Sequence, residues 1–160
     1  MLIYRTPKLE EVIEVCNLVA RSFNEFIAPE FSEEGIEEFF KYSNPREFNK
    51  RSESGYFSMV AESQDKLAGM IEIKGNNHIS MLYVDKSYHR KGIAKGLIGN
   101  ALEEINANNK IFDDITVNSS RYAVPFYEKL GFIQFEEENS INGIIHIPMI
   151  VKYSKLSESL

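Results

Sequence analysis

One cysteine and no tryptophan occur in 160 residues. Cys16 therefore has no intramolecular disulfide partner, and a cysteine-built zinc site is excluded. Positive charge is in short supply as well: 18 Lys and Arg face 24 Asp and Glu, a formal net charge of −6. The isoelectric point is near 5.2. Nucleic-acid affinity draws largely on a positive field, so neither DNA nor RNA is an expected partner. No apolar run approaches the roughly 18 residues of a membrane span. The start, Met1-Leu2-Ile3-Tyr4-Arg5-Thr6-Pro7, lacks the basic segment and long apolar stretch of a signal peptide. A cytoplasmic protein with no membrane partner is the expectation. Neither Gly-x-x-x-x-Gly-Lys-Ser/Thr nor Gly-x-Gly-x-x-Gly is present. Nucleoside-triphosphate hydrolysis and a Rossmann site are thus unsupported.

What is present suits a single folded domain. The hydrophobic fraction is 43%, with 11 Phe and 8 Tyr, too apolar for a disordered chain. The length fits one domain with a real core. Leu2 to Thr6 reads as a strand ended by Pro7. From Leu9, the residues Val12, Ile13, Cys16, Val19, Ala20 and Phe23 follow helical spacing. Cys16 lies on that stripe and reads as a core hydrophobe. A second helix is predicted over Glu33 to Lys41, and the polar stretch Ser43 to Gly55 as a loop.

Strands follow at Tyr56 to Glu62, Leu67 to Lys74 and His78 to Val84, separated by turn signals, as an antiparallel meander. The strongest helix runs from about Gly92 to Asn108, with an apolar stripe from Ile93 to Ile105. Ile111 to Val117 returns as a strand, and the crossover favours parallel pairing. A helix from about Arg121 to Leu130 ends at Gly131, where a left-handed cap is expected. Phe132 to Glu138 and Ile144 to Tyr153 read as a hairpin around Asn142-Gly143. The order β-α-α-β-β-β-α-β-α-β-β describes a mixed-sheet α/β domain.

One stretch carries chemistry. Lys86, Arg90, Lys91 and Lys95 fall within ten residues, together with His89, where a strand ends and the long helix begins. The first amides of a helix have no internal partners and sit at the positive end of its dipole. Gly92 and Ala94 would let that backbone approach an anion such as a phosphate. Spacing alone leaves open a simpler reading, in which Gly92 caps the helix and the basic residues face solvent.

His89-Arg90-Lys91-Gly92-Ile93-Ala94 resembles the Gln/Arg-x-x-Gly-x-Gly/Ala motif of the GNAT superfamily of N-acetyltransferases. Asn118-Ser119-Ser120 and Ala123-Val124-Pro125-Phe126-Tyr127-Glu128-Lys129-Leu130-Gly131-Phe132 resemble that family's second signature. The resemblance implies a mixed, mostly antiparallel central sheet of six to seven strands flanked by about four helices. It divides residues 1–160 into variable acceptor-side elements (1–55), a cofactor-binding core (56–131) and a C-terminal hairpin (132–153). It implies acetyl-CoA as acetyl donor, its pyrophosphate held by His89, Arg90, Lys91, Gly92, Ile93, Ala94 and Lys95. His89 departs from the motif, which implies a weakened contact there. The pantetheine arm would lie along Leu82, Tyr83 and Val84, and Asn118 would touch it or else cap a helix.

By the same resemblance, Tyr127 is the general acid that protonates the departing thiolate. A phenol of pKa about 10 is protonated at neutral pH, and a thiol has pKa near 8.5. His78 is the candidate general base, with Glu72 its rival on the neighbouring strand. An amine of pKa about 10.4 is only roughly 0.04% neutral at pH 7, so deprotonating it costs near 4.6 kcal/mol. An imidazole can accept that proton directly or through water. Strand alternation would put His78, Ser80, Leu82 and Val84 on one face. A three-residue turn would pair Lys74 with His78 and Glu72 with Ser80, whereas a two-residue turn would shift this register.

The expected acceptor is a small-molecule or peptide amine reacting by direct attack in a ternary complex. Phe23, Phe26, Ile27 and Phe31 would form an apolar wall, and the acids from Glu33 to Glu38 would attract a cation or else be a solvated face. His146 is read as structural or acceptor-side. A non-catalytic CoA-binding sensor or structural module is the alternative function, and a homodimer is left open.

Overall fold

In the computed structural model, which describes residues 1–108 and 112–160, the expected meander forms from β2 (Tyr56–Ser63), β3 (Lys66–Lys74) and β4 (His78–Val84). Left-handed Gln64, Asp65 and Gly75 make its turns. β1 (Leu2–Arg5) pairs antiparallel with β2. After helix α4 (Ile93–Ala107), the chain returns as β5 (Asp114–Ser119), parallel to β4 as expected of a crossover. The expected strand start at Ile111 lies outside the described residues.

β8 (Ile144–Lys152) pairs antiparallel with β5, from Asp114↔Lys152 to Ser119↔Ile147. Its other side takes β6 (Ile133–Gln134), and its first residues take β7 (Asn139–Ile141). Among the described residues the sheet has eight strands in the order β1-β2-β3-β4-β5-β8-β6, with β7 on β8. Phe132 to Glu138 is therefore not one strand. Phe135 N donates to Pro148 O, but Pro148 has no N–H with which to continue a ladder. Arg121 holds the Glu138 carboxylate instead, at 2.7 and 2.6 Å.

Six α-helices are described: α1 (Val12–Phe26), α2 (Glu33–Tyr42), α3 (Pro45–Ser52), α4, α5 (Val124–Lys129) and α6 (Tyr153–Ser159). α3 overturns the loop expected over Ser43 to Gly55. Asn44 caps it by accepting from Glu47 N at 3.1 Å, and Pro45 takes the first helical position. Its polar sequence hid it, because the buried pair is Phe48 and Arg51. α6 was not expected either; Leu156, fully buried, anchors it to the core.

The sheet separates two apolar layers. Ile93, Leu97, Ile98, Ala101, Leu102 and Ile105 of α4 pack on Ile71, Ile73, Ile115, Val117 and Met149. On the other face Val15, Leu18, Val19 and Phe23 of α1 pack on Val60, Met70 and Met81. Cys16 belongs to this second layer, and burial pushes its thiol pKa up, so it behaves as a hydrophobe.

The two late additions to the sheet reach back to the early helices. The β7–β8 turn uses left-handed Asn142 and Gly143 and rests on the first turn of α2. A Cβ placed on Gly35 would fall 2.2 Å from Gly143 O, a backbone atom. Gly35→Ala is therefore expected to destabilise the fold by about 1–3 kcal/mol through forced separation of the turn from α2. Thermal unfolding checks this, and an unchanged midpoint would refute the close approach.

Candidate active site

One irregularity in β4 shapes the site. Ile73 pairs with Ile79 and Glu72 with Met81, so Ser80 is an extra residue without a partner across β3. Lys74 pairs with His78 as expected, but Glu72 does not pair with Ser80. The predicted shared face of His78, Ser80, Leu82 and Val84 is corrected by this bulge. Ile79, Leu82 and Val84 pack toward α4, whereas Met81 and Tyr83 pack toward α1. His78, adjacent to Ile79, lies on the α1 side with Met81 and Tyr83.

The bulge also ends the contact with β5. β4 and β5 pair only at His78↔Thr116 and Ile79↔Val117. Beyond that point the strands part, and a cleft of about 430 Å³ opens between them. Leu82 and Tyr83 line it from β4; Val117, Asn118 and Ser119 line it from β5. Both His78 and Tyr127 also line it. An extended chain bearing amides would find unpaired strand backbone here.

Past Val84, Asp85 caps a short 3-10 turn at Lys86–Tyr88, accepting from Ser87 N at 3.0 Å. Arg21 donates to Asp85 at 2.9 Å and, with the backbone N–H of Ser87, holds its carboxyl below the usual range despite partial burial. Lys86 pairs with Glu25 of α1. Arg90, Lys91 and Lys95 have no carboxylate partner among the described residues. Arg90 and Gly92 both have left-handed backbone, at φ +61° and +76°. Such a conformation turns successive N–H groups toward one side. The first intrahelical donor is Gly96 N, to Gly92 O, so the amides of Ile93, Ala94 and Lys95 precede the ladder. These features suit a diphosphate.

His89 is spent differently from its motif counterpart. Its Nε2 lies 2.8 Å from Val84 O, and its ring packs on Phe26 at 5.1 Å. The imidazole braces the loop from within. Phe26 also stacks on Tyr122, at 5.0 Å, and is not on the cleft wall where the sequence reading put it.

Tyr127 is 4% exposed and has edge contacts with Phe126 and Phe132 at 5.2 Å each. Burial pushes its phenol above the ordinary tyrosine value. Asn118 is exposed on the cleft and is not a cap: Ser120 Oγ accepts from Ala123 N at 3.2 Å at the start of α5. Gly131 has the expected left-handed backbone, at φ +96°.

His78 Nδ1 lies 2.8 Å from Thr116 Oγ1. Burial first, then the charge of Lys74 and the nearby His146, lowers its pKa below the ordinary imidazole value. Glu72 is placed quite differently, 1% exposed. Arg51 Nε donates to both its oxygens at 3.1 Å, and Tyr42 and Ser80 hydroxyls donate to Oε1 at 3.0 and 2.9 Å. Arg51 also donates to Tyr42 O at 2.6 Å and lies 3.7 Å above the Tyr42 ring centroid. The sequence reading missed Arg51, Tyr42 and the pinning of Ser80; only the Asn-Pro cap of α3 pointed to them. On the acceptor side, Phe23, Ile27 and Phe31 do line the cleft, but of the α2 acids only Glu38 does so.

Residues 27–153 match the acetyltransferase (GNAT) domain family. The chain is similar in structure to a GCN5-related N-acetyltransferase from Rhodopseudomonas palustris, with TM-score 0.80, 25% identity and 94% of each chain covered. It is also similar to the PaiA N-acetyltransferase from Thermoplasma acidophilum in complex with coenzyme A, with TM-score 0.79, 21% identity, and 96% and 99% covered. A third likeness is to the spermidine/spermine N-acetyltransferase SpeG from Vibrio cholerae, with TM-score 0.66, 21% identity, and 98% and 96% covered.

The Arg51–Glu72 pair generates a prediction of its own. Arg51→Leu leaves a buried carboxylate without its counter-charge and is expected to cost about 3–5 kcal/mol. The double variant Arg51→Leu/Glu72→Leu is expected to recover most of that loss. Urea unfolding of the single and double variants measures both, and a single variant within about 1 kcal/mol of the parent would refute the coupling.

Proposed function

The chain belongs to the GNAT acetyltransferase family, with acetyl-CoA as acetyl donor, and from that premise we propose that it N-acetylates an amine using His78 as general base and Tyr127 as general acid. The observation that carries this reading is the cleft shared by His78, Tyr127 and the unpaired edge of β4. Acetyl-CoA supplies an acetyl group activated as a thioester. Arg90, Lys91, Gly92, Ile93, Ala94 and Lys95 hold the diphosphate, chiefly by backbone N–H groups. His89 acts as a brace for that loop, through Val84 O. Leu82 and Tyr83 offer the arm their backbone, as does Val84 through its N–H, its carbonyl being held by His89, with Asn118 opposite.

In the tautomer whose Nδ1–H donates to Thr116 Oγ1, 2.8 Å away, His78 Nε2 is free to accept a proton. Its lowered pKa keeps it neutral at physiological pH. His78 takes a proton from the bound ammonium, and the freed nitrogen forms its bond to the carbonyl carbon as the carbon–sulfur bond breaks. A strand amide at the bulge polarises the carbonyl. Tyr127 donates its proton to the departing sulfur. The nitrogen loses a second proton on becoming an amide, which restores Tyr127, so one net proton reaches solvent. Glu72 is a positioning residue rather than the base, because Arg51, Tyr42 and Ser80 occupy its oxygens.

Tyr127→Phe keeps the ring and removes the proton. Turnover is expected to fall about 10²-fold while calorimetry finds acetyl-CoA affinity nearly unchanged; equal turnover would remove Tyr127 from the role. For His78 the sign follows from its neutral form being active. The acidic limb of kcat/KM is expected to have its midpoint below the ordinary imidazole value of about 6.5. His78→Ala is expected to lose that limb, its rate rising about tenfold per pH unit as neutral amine accumulates. A parent limb unchanged in His78→Ala would exclude the imidazole.

A further inference from the structure

The acceptor end of the cleft is walled by rings and branched aliphatics: Phe23, Phe31, Phe39, Tyr42, Ile144 and Ile145. Phe23 stacks on Phe39 at 3.7 Å and meets Phe31 edge-on at 5.5 Å, so this wall is packed and preformed. Charge on the wall is sparse and cancels. Among the described residues, the cleft is lined by one carboxylate, Glu38, and one ammonium, Lys74. Glu38 also has Lys41 at 3.6 Å. The two histidines that line the cleft, His78 and His146, both have lowered pKa and carry no charge at neutral pH. Glu72 is behind the wall, matched by Arg51. Glu33, Glu34 and Glu37 lie on the exposed side of α2.

A polycation leaving water for such a cleft would find too few carboxylates to match its charges, and an unmatched buried ammonium is costly. An apolar body has no charge or polar group to strip of water on entry and covers apolar surface. The contact between Gly143 and Gly35 joins the β7–β8 turn to α2, so the two walls that carry these side chains are held together across the acceptor end.

Resting on the acetyltransferase reading above, we infer that the acceptor is a small primary monoamine with an uncharged, ring-bearing body. The reacting nitrogen lies toward His78 and the ring against the partly exposed Phe31, Tyr42 and Ile144, which the buried Phe23 and Phe39 back from the core. Polyamines, aminoglycosides and peptide chains fall outside this class.

The test is thiol release from acetyl-CoA with 2-phenylethylamine, ethylamine, spermidine, an aminoglycoside and a short peptide as acceptors. Expected is a kcat/KM for 2-phenylethylamine at least about tenfold above each of the others. Phe31→Ala is expected to lose about tenfold more kcat/KM toward 2-phenylethylamine than toward ethylamine, through KM. Calorimetric titration of acetyl-CoA into the variant checks that its donor site is intact. Turnover that is best with spermidine, the aminoglycoside or the peptide would overturn the monoamine inference and leave the acetyltransferase reading standing. An unchanged ratio in Phe31→Ala would do the same. No thiol release with any amine, from protein that binds no acetyl-CoA, would overturn both.

Discussion

One extra residue in β4 governs the arrangement of the site. Side chains on a strand alternate faces, so a single inserted position exchanges everything downstream. Ser80 is that position, and it brings His78, Met81 and Tyr83 to the helix α1 side while Leu82 and Val84 face α4. The same insertion stops β4 from following β5 beyond Ile79↔Val117. In a regular pair the backbone of Leu82 to Val84 would be committed to β5 and no cleft would exist. The bulge is held by a side-chain bond: Ser80 donates to Glu72 Oε1 and also to Glu72 O. Glu72 is fixed in turn by Arg51 of α3 and Tyr42 of α2. A buried ion pair adds little net stability but makes departures from its arrangement expensive. That is a fitting support for a backbone irregularity that ordinary sheet pairing would tend to remove.

Helix α1 performs a similar service at the other end of the cleft. Arg21 grips Asp85, Glu25 grips Lys86, and Phe26 packs on the His89 ring. The loop between β4 and α4 is thereby tied at three successive points before it enters the left-handed Arg90–Gly92 segment. Left-handed backbone at a non-glycine residue costs roughly 1–2 kcal/mol. The ties offset such a cost locally. They also sort the charges: Lys86 is neutralised, while Arg90, Lys91 and Lys95 keep an unbalanced positive field in a protein of net charge −6. Whole-chain charge argues against a polyanion, and the local field suits a small one.

How much of this was legible depended on whether a feature repeats along the chain. The α4 stripe and the turn residues of the meander are periodic or local, so element type, order and the parallel crossover could be read from them. The basic, left-handed loop that leads into α4 was legible through Gly92 and its basic neighbours. A bulge has no such signature: nothing between His78 and Val84 distinguishes seven regular strand residues from six and an insertion. The face assignment therefore failed at Ser80. α3 was hidden because its core side includes an arginine, whose burial makes sense only once Glu72 is opposite it. His89 could be placed in the loop, but its inward bond to Val84 O depends on how the loop closes. Phe26 and Phe23 sit three residues apart on one helix, and only packing decided that Phe23 backs the cleft and Phe26 meets the loop.

Burial acts in opposite directions on the two proposed proton carriers, and the opposition is useful. It lowers the imidazole of His78 and raises the phenol of Tyr127, so both rest uncharged in a cleft whose walls are largely apolar. Taking a proton from an ammonium then moves one positive charge from nitrogen to imidazole without creating a new one. A phenol more basic than usual would be a poor donor to a solvated thiolate. A thiolate forming beside Tyr127 is desolvated by the same surroundings, which raises its proton affinity alongside that of the phenol. Both shifts have the same sign, so they offset each other in the proposed transfer. A cleft with few fixed charges is thus suited to both halves of the chemistry, and an acceptor carrying further charges of its own would disturb the balance that His78 and Tyr127 share.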